Sequence, residues 1–138
     1  MSWLLIALLA ADLASIRQEP NLERRSELAL ANADHSLTTA RKAYDAGDID
    51  KTKEAIEEMQ ASVELANDSL RETGKDARKK PKFFKQAELN TRKLLRRIDA
   101  FREAMGYQYR PLIQPAEDRV NEIHEALLTG IMGKSKNK

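Results

Sequence analysis

Two histidines, His35 and His124, are the residues of this 138-residue chain best suited to bind a metal ion or to transfer a proton near neutral pH. A di-iron site inside a helical bundle uses Glu-x-x-His pairs, in which a carboxylate precedes each histidine by three residues. Asn32 and Asn121 occupy those positions here. A His-Glu-x-x-His metalloprotease helix is also missing. The sequence therefore predicts no metal site.

Acid–base catalysis by carboxylates is a second possibility, and it requires apolar surroundings that raise the pKa of one carboxyl group. Helical periodicity places Glu57 and Glu58 on outward positions, and Asp48 is predicted to cap a helix. The chain has no cysteine, and so it has no thiol nucleophile and no disulfide. It has neither a Gly-rich phosphate loop nor a nucleophile elbow. We therefore predict that the protein is not an enzyme.

A haem held between helices by His124 together with Met59 or Met105 is a further alternative. No spacing singles out these residues, and a methionine at a core position usually fills space. The sequence accordingly predicts no cofactor. A helical enzyme or haem carrier remains the third of three functional hypotheses.

Recognition of an anion is the chemistry that the sequence favours, because its charge is unevenly distributed. Residues 16–70 carry 7 Lys or Arg against 12 Asp or Glu, whereas residues 71–110 carry 13 against 5. Between residues 75 and 82 the only acid is Asp76, so pairing within the chain can hardly neutralise this connection. The sequence predicts a contact surface for an anionic partner at Lys75, Arg78, Lys79, Lys80, Lys82 and Lys85.

The alternative interpretation of the same charges is complementarity inside the fold. The basic third helix would then lie along acidic neighbours, with surface pairs that contribute about 0–1 kcal/mol each. Two pairs are predicted within that helix, because Glu88 and Arg92 are four residues apart and Asp99 and Arg102 are three apart. These pairs leave the connection before the helix unneutralised.

The element that must position these residues is a long helical hairpin over residues 21–74. Apolar and small residues recur in alternating steps of three and four, which predicts one narrow core-facing seam on each helix. Gly47 is predicted to end the first helix in a left-handed conformation. The two seams are Ser26, Leu30, Ala33, Leu37, Ala40 and Tyr44, then Ile49, Thr52, Ile56, Met59, Val63, Ala66, Leu70 and Thr73.

The register of this hairpin can be predicted as well. If the chain reverses at residues 46 and 47, the numbers of facing residues add up to about 93. Large apolar residues then face one another in three pairs. Leu28 and Leu65 also lie level, as a lateral patch for the fourth helix or for a second subunit. The three pairs are Leu30 with Val63, Leu37 with Ile56, and Tyr44 with Ile49.

Two further seams complete the pattern, over residues 84–105 and 113–127. Gly106 is predicted to end the third helix, and Gly130 and Gly133 to end the fourth. Tyr107 and Tyr109 are predicted to pack across the end of the bundle. We predict an all-α fold, an antiparallel four-helix bundle in which a long hairpin is covered by a third long and a fourth shorter helix. The oligomeric state does not follow from the pattern.

The two ends of the chain are predicted to lie outside this domain. Residues 3–11 are an apolar run too short to span a bilayer, which is typical of a secretory signal peptide. Small residues Ala14 and Ser15 follow, so residues 1–15 are predicted to be removed and residues 16–133 to form the bundle. Residues 134–138 are predicted to be a basic disordered tail.

These features together favour a non-catalytic helical module that is periplasmic or secreted and has an interaction or structural role in the bacterial envelope or secreted space. Anionic lipid headgroups or an acidic protein would then be its weak partners, and no transmembrane span is predicted. The alternative is a cytoplasmic helical adaptor whose apolar N-terminus belongs to the core. Its basic arm would bind nucleic acid or an acidic protein.

Overall fold

The computed structural model describes residues 13–133, and the described part contains helices and no strands. The predicted signal peptide therefore lies mostly outside the described residues, and the predicted basic tail lies wholly outside them. Residues 13–17 are helical, and Ile16 packs against the core. Four long helices follow, together with a 3-10 helix at Tyr107–Leu112. The long helices are α1 (Leu22–Asp45), α2 (Ile49–Glu72), α3 (Lys82–Ala104) and α4 (Gln114–Met132).

The helices form two antiparallel hairpins packed on each other, which confirms the predicted all-α bundle. Helices α1 and α2 make the most extensive contact, and α3 pairs with α4. Across the two hairpins, α1 lies beside α3 and α2 lies beside α4. The order around the bundle is therefore α1, α2, α4, α3, so α2 and α3 face each other across a diagonal.

The turns and caps of the first hairpin form as the sequence predicts. The Asn21 side chain accepts a hydrogen bond from Arg24 N at 3.0 Å, which caps α1. Gly47 has a φ of 80°, a left-handed conformation that few other residues adopt without strain. Asp48 then caps α2 by accepting a hydrogen bond from Lys51 N at 3.0 Å.

The register of the α1–α2 hairpin agrees with the prediction to within one residue. Asn32 Nδ2 donates a hydrogen bond to Ser62 Oγ at 2.9 Å, and these residue numbers add up to 94. Three of the six residues in the predicted apolar pairs are at most 3% exposed, namely Leu37, Ile56 and Val63. Of the lateral leucines, Leu28 and Leu65 are both half-buried, and only Leu65 packs against the core.

The other two seams also form one core with the hairpin. Phe84, Leu94, Ile98 and Phe101 of α3 are all buried, as are Ile113, Val120, Ile123 and Leu127 at and within α4. At one end of the core, the Tyr44 ring makes edge contacts with Phe101 and Tyr109 at 5.8 Å between centroids. Its hydroxyl accepts a hydrogen bond from Gly106 N at 2.7 Å. This contact fixes the start of the α3–α4 connection to the end of α1.

Two local predictions are wrong, one at this end of the bundle and one at the end of α4. Tyr107 is 84% exposed and does not pack across the bundle, because the 3-10 turn brings only Tyr109 inward. Gly130 does not end α4, which continues to Met132 and ends at Gly133 with a φ of 64°. Gly130 instead lies within α4 beside the Ala77 side chain, and a Cβ there would make an ordinary van der Waals contact with it at 3.6 Å.

Candidate functional site

The six basic residues predicted to contact an anion lie at one end of the bundle, where α1 and α3 begin and where α2 and α4 end. Thr73 caps the end of α2, and Gly74 reverses the chain with a φ of 70°. Residues 75–81 then form a short turn before α3. All six side chains are exposed: Lys75, Arg78, Lys79, Lys80, Lys82 and Lys85.

The connection is held in a defined shape by its single acid and by α4. The Asp76 carboxylate accepts a hydrogen bond from Arg78 N at 2.9 Å, and its carbonyl oxygen accepts from Lys80 N at 2.8 Å. Ala77 packs on Gly130, and the Arg78 side chain lies directly against Gly133. A cleft of about 780 Å³ is lined by this turn and by the last two turns of α4. The basic residues therefore stand on an anchored turn.

Two of the six cations have partners inside the fold. Lys75 Nζ lies 2.6 Å from Glu23 Oε2, in an ion pair that joins the connection to the first turn of α1. Lys82 Nζ lies 5.2 Å from the centroid of the Phe83 ring, in a cation–π contact. No ion pair joins Lys79, Lys80 or Lys85 to any residue within 13–133.

The surrounding helix ends do not cancel this positive charge. Pro81 is the N-cap of α3 and makes no side-chain capping hydrogen bond, so the first N–H groups of α3 add positive potential near Lys82. The carboxyl ends of α2 and α4 lie at the same end of the bundle and add negative potential. Their partial charges are small beside the five exposed Lys and Arg charges that have no ion pair to a described residue. The end of the bundle is thus a cationic surface, which we call the basic end: Lys75, Arg78, Lys79, Lys80, Lys82 and Lys85.

Farther along α3, ion pairs within the fold neutralise part of the positive charge. Both pairs predicted within α3 are present, with Arg92 Nε at 3.0 Å from Glu88 and Arg102 Nη2 at 2.5 Å from Asp99. Arg97 binds the Asp34 carboxylate of α1. The complementarity interpretation therefore holds for Arg92, Arg97 and Arg102, and it does not extend to the basic end.

The two histidines differ in environment. His35 is exposed, as its position between two seam residues predicts. His124 is half-buried, and its Nε2 lies 2.8 Å from Glu88 Oε2. Glu88 is on α3, so the carboxylate partner of His124 comes from the neighbouring helix. Sequence spacing within α4 gives no signal for this contact.

The Glu88 carboxyl group has a lowered pKa, chiefly because Arg92 donates hydrogen bonds to it and, to a smaller extent, because His124 contacts it. Partial burial acts in the opposite direction. Its lowered pKa means that ionised Glu88 stabilises the fold above the ordinary carboxyl pKa. This stabilisation is lost as the pH falls through the lowered value.

We predict that Glu88→Gln lowers the melting temperature at pH 7 by about 3 °C, equivalent to about 1 kcal/mol. The difference from wild type should shrink as the pH falls below the ordinary carboxyl pKa and the wild-type carboxylate becomes protonated. Thermal unfolding followed by circular dichroism across this pH range measures it. Glu125→Gln, at an exposed carboxylate without an ion pair to a described residue, is the control. A Glu88→Gln variant whose melting temperature lies equally far below that of wild type at every pH would show that the ionised Glu88 carboxylate is not the source of this stability.

Two buried polar contacts lie elsewhere in the bundle. Asn32 is only 5% exposed, and besides Ser62 its Nδ2 contacts Glu58 Oε2 at 3.0 Å. Glu58 is thus half-buried, not outward as predicted, because the hairpin brings it over Asn32. Glu117 is 6% exposed and is bound by Arg102 of α3. Both contacts join different helices and depend on packing that sequence spacing does not reveal.

A shallow groove of about 620 Å³ runs along the outer side of α1 and α2, between Asn32 and Asp48. Its walls carry charges of both signs, with Lys42 and Lys51 beside Glu54 and Glu58. Among residues 13–133, no three His, Asp or Glu side chains are arranged to hold a metal ion. No helix in the same range is long and apolar enough to cross a membrane.

Comparison with known protein families, with characterised proteins and with solved structures finds no match to this chain.

Proposed function

We propose that the protein is an exported, non-catalytic helical-bundle module of the bacterial envelope or secreted space, and that its basic end docks on anionic headgroups. The observation that carries this proposal is the exposure of Lys79, Lys80 and Lys85 without an ion pair to any described residue. Arg78 and Lys82 stand beside them and are exposed as well. Cations that serve only the fold would be expected to have acidic neighbours.

The strength of this docking follows from the number of free charges. Each Lys or Arg near a charged membrane contributes about 1 kcal/mol, so four or five give about 4–5 kcal/mol. This corresponds to a dissociation constant near the millimolar range for one molecule. The contact should weaken as salt shortens the Debye length to about 8 Å and below. One basic end is thus a weak, salt-sensitive anchor.

We predict that replacing Arg78, Lys79, Lys80 and Lys82 by Gln abolishes co-sedimentation with anionic phosphatidylglycerol vesicles at low salt. The matched control is a variant with the same charge change at four exposed cations outside the basic end. It should bind nearly as well as wild type, and neutral phosphatidylcholine vesicles should bind neither. Equal vesicle binding by the basic-end variant and wild type would refute the proposal. The control positions are Arg41, Lys42, Lys51 and Lys53, which lie at the opposite end of the bundle.

The cytoplasmic alternative is tested by adding a short DNA duplex to the vesicle assay. A duplex that displaces the protein from vesicles at equal charge concentration would favour nucleic acid as the partner. Persistent vesicle binding would support the headgroup proposal, because headgroups then compete successfully with the phosphate backbone.

Export is tested separately, by mass spectrometry of the natively expressed protein after cell fractionation. We predict cleavage shortly after Ala14 or Ser15 and a mature chain that begins near Ile16. The mature protein should be recovered outside the cytoplasm. An intact Met1 or Ser2 terminus on cytoplasmic protein would refute export, whatever the vesicle assay shows.

A further inference from the structure

Two charged stripes of opposite sign lie on the outer sides of α2 and α3, directly away from the core. Both follow the helical steps of three and four that place residues on one face, and the acidic stripe skips one step between Ala61 and Asp68. Every charged member is exposed, and Leu89 at the centre of the positive stripe is 40% exposed. We call them the acidic stripe and the basic stripe: Glu54, Glu57, Ala61 and Asp68 on α2, and Lys82, Lys85, Leu89, Lys93 and Arg96 on α3.

The charges of both stripes are available for a partner. Ion pairs within the described range engage Glu64, Arg92 and Arg97, which lie beside the stripes. None of them engages a charged member of either stripe. Lys53 and Arg71 flank the acidic stripe and reduce its net charge without interrupting it.

The stripes cannot meet within one molecule. Helices α2 and α3 lie across a diagonal of the bundle, and each stripe is on the side of its helix opposite the core. The acidic stripe therefore faces one side of the molecule and the basic stripe the other. Only a second molecule can bring them together.

The two stripes match in length and in sequence when the helices run antiparallel. Each runs over 15 residues, 54–68 and 82–96, or about 21 Å of helix. In one register the numbers of facing residues add up to 150, opposite charges meet at three positions, and the exposed leucine meets a small residue. The facing residues are Glu54 with Arg96, Glu57 with Lys93, Ala61 with Leu89, and Asp68 with Lys82.

We propose that the basic stripe of one molecule docks on the acidic stripe of a second copy of this chain. Because the two surfaces differ and lie on opposite sides, each copy keeps one free stripe, and the association is open-ended. The contact is small and charged, so it is weak and salt-dependent. Other acidic helices could compete for Lys93 and Arg96, and the tests below distinguish them from self-association.

The antiparallel register has a consequence for the basic end. Within one molecule α2 and α3 already run in opposite directions, so antiparallel docking gives neighbouring copies the same orientation. All basic ends then lie along one edge of the array, where Lys82 faces Asp68 of the neighbouring copy and Arg78, Lys79 and Lys80 remain for the headgroups. This consequence rests on the proposed headgroup docking. Multivalent binding by the array would have an avidity about 10²–10⁴-fold higher than that of the single millimolar contact.

Disulfide trapping tests the contact directly, because the natural chain contains no cysteine. A chain with both Ala61→Cys and Leu89→Cys should form a ladder of covalent oligomers on mild oxidation at low salt. Neither single variant can form more than a covalent dimer. Mixing the two single variants should give mainly the mixed dimer. A double variant that stays monomeric, or that forms only dimers, would refute the open-ended contact.

Charge reversal tests the register. Sedimentation velocity at about 20 mM salt should show concentration-dependent association of wild type. Glu57→Lys and Lys93→Glu should each weaken it by about tenfold, and the double variant Glu57→Lys/Lys93→Glu should restore it. Arg24→Glu, which has the same net charge as Lys93→Glu but lies on α1, should behave as wild type. Failure of the double reversal to restore association would refute the proposed register.

These measurements need no membrane, so their failure is separate from failure of headgroup docking. A monomeric wild type that still binds anionic vesicles would refute the array and leave the basic end as a single anchor. A wild type that binds an added acidic helical peptide through Lys93, but does not self-associate, would assign the basic stripe to a different partner.

Discussion

Replacement of Leu37 by Asp, or of Ile56 by Asp, is expected to leave the chain unfolded at room temperature. The two side chains are 1% and 3% exposed and belong to one core cluster between α1 and α2. Both side chains lie among apolar core residues, so the new carboxylate would be buried in apolar surroundings. Such burial costs several kcal/mol, which is comparable with a total stability of about 5–15 kcal/mol.

Far-ultraviolet circular dichroism and urea titration measure this effect. Glu57→Gln, one residue beyond Ile56 but exposed on the outer side of α2, is the control and should unfold within about 0.5 kcal/mol of wild type. A wild-type melting temperature in both Asp variants would show that the seams do not form the core. Loss of stability in only one of them would place the two residues in different environments.

The hairpin was predictable from sequence because its information is periodic and local. Seam residues on α1 and α2 repeat in steps of three and four, and one Gly-Asp turn fixes which residues face each other. Hydrophobic burial is proportional to area and insensitive to direction, so the pattern alone fixes the buried side of each helix. The same reasoning identified the exposed cations of the connection, because a stretch with a single acid cannot neutralise them.

The contacts between helices that are distant in sequence were not predictable in this way. The partner of His124 is Glu88, and the partner of Glu117 is Arg102, in both cases on a different helix. Their positions depend on the order of helices around the bundle, which periodicity leaves open. The seams are equally compatible with α2 beside α3. Only packing in three dimensions places these two helices on a diagonal and exposes their stripes on opposite sides.

Gly130 illustrates the same limitation at a single residue. In sequence it resembles a helix terminator, because Gly is common after the last helical turn. In the structure it lies inside α4, where the Ala77 side chain of the connection packs beside it at ordinary contact distance. This contact is tertiary, and no local pattern in the sequence reports it.

Phe101→Ala is expected to be the most destabilising truncation at the end of the bundle opposite the basic end. Phe101 is 1% exposed and makes an edge contact with Tyr44, whose hydroxyl accepts a hydrogen bond from Gly106 N. Removal of a buried phenyl ring costs about 3–5 kcal/mol in lost burial and in the cavity left behind. For a chain of this length the melting temperature should fall by about 10–20 °C.

The matched control for this variant is Phe83→Ala, the same truncation at the opposite end of α3. Phe83 is half-buried and lies under the Lys82 ammonium group, so its removal opens a smaller cavity and should cost less than half as much. Differential scanning calorimetry of the two variants provides the comparison. Equal losses would show that Phe101 is not part of a closed core at its end of the bundle.

Phe101→Ala also separates stability from docking, because Phe101 lies 19 residues along α3 from Lys82, or about 28 Å of helix. At 10 °C, where the variant should still be folded, it should bind anionic vesicles as wild type does. Phe83→Ala is much less damaging to the fold, but it removes the ring that orients Lys82, and its vesicle binding should be weaker. If vesicle binding instead followed the melting temperatures of the two variants, headgroup docking would depend on the whole bundle and not on its basic end.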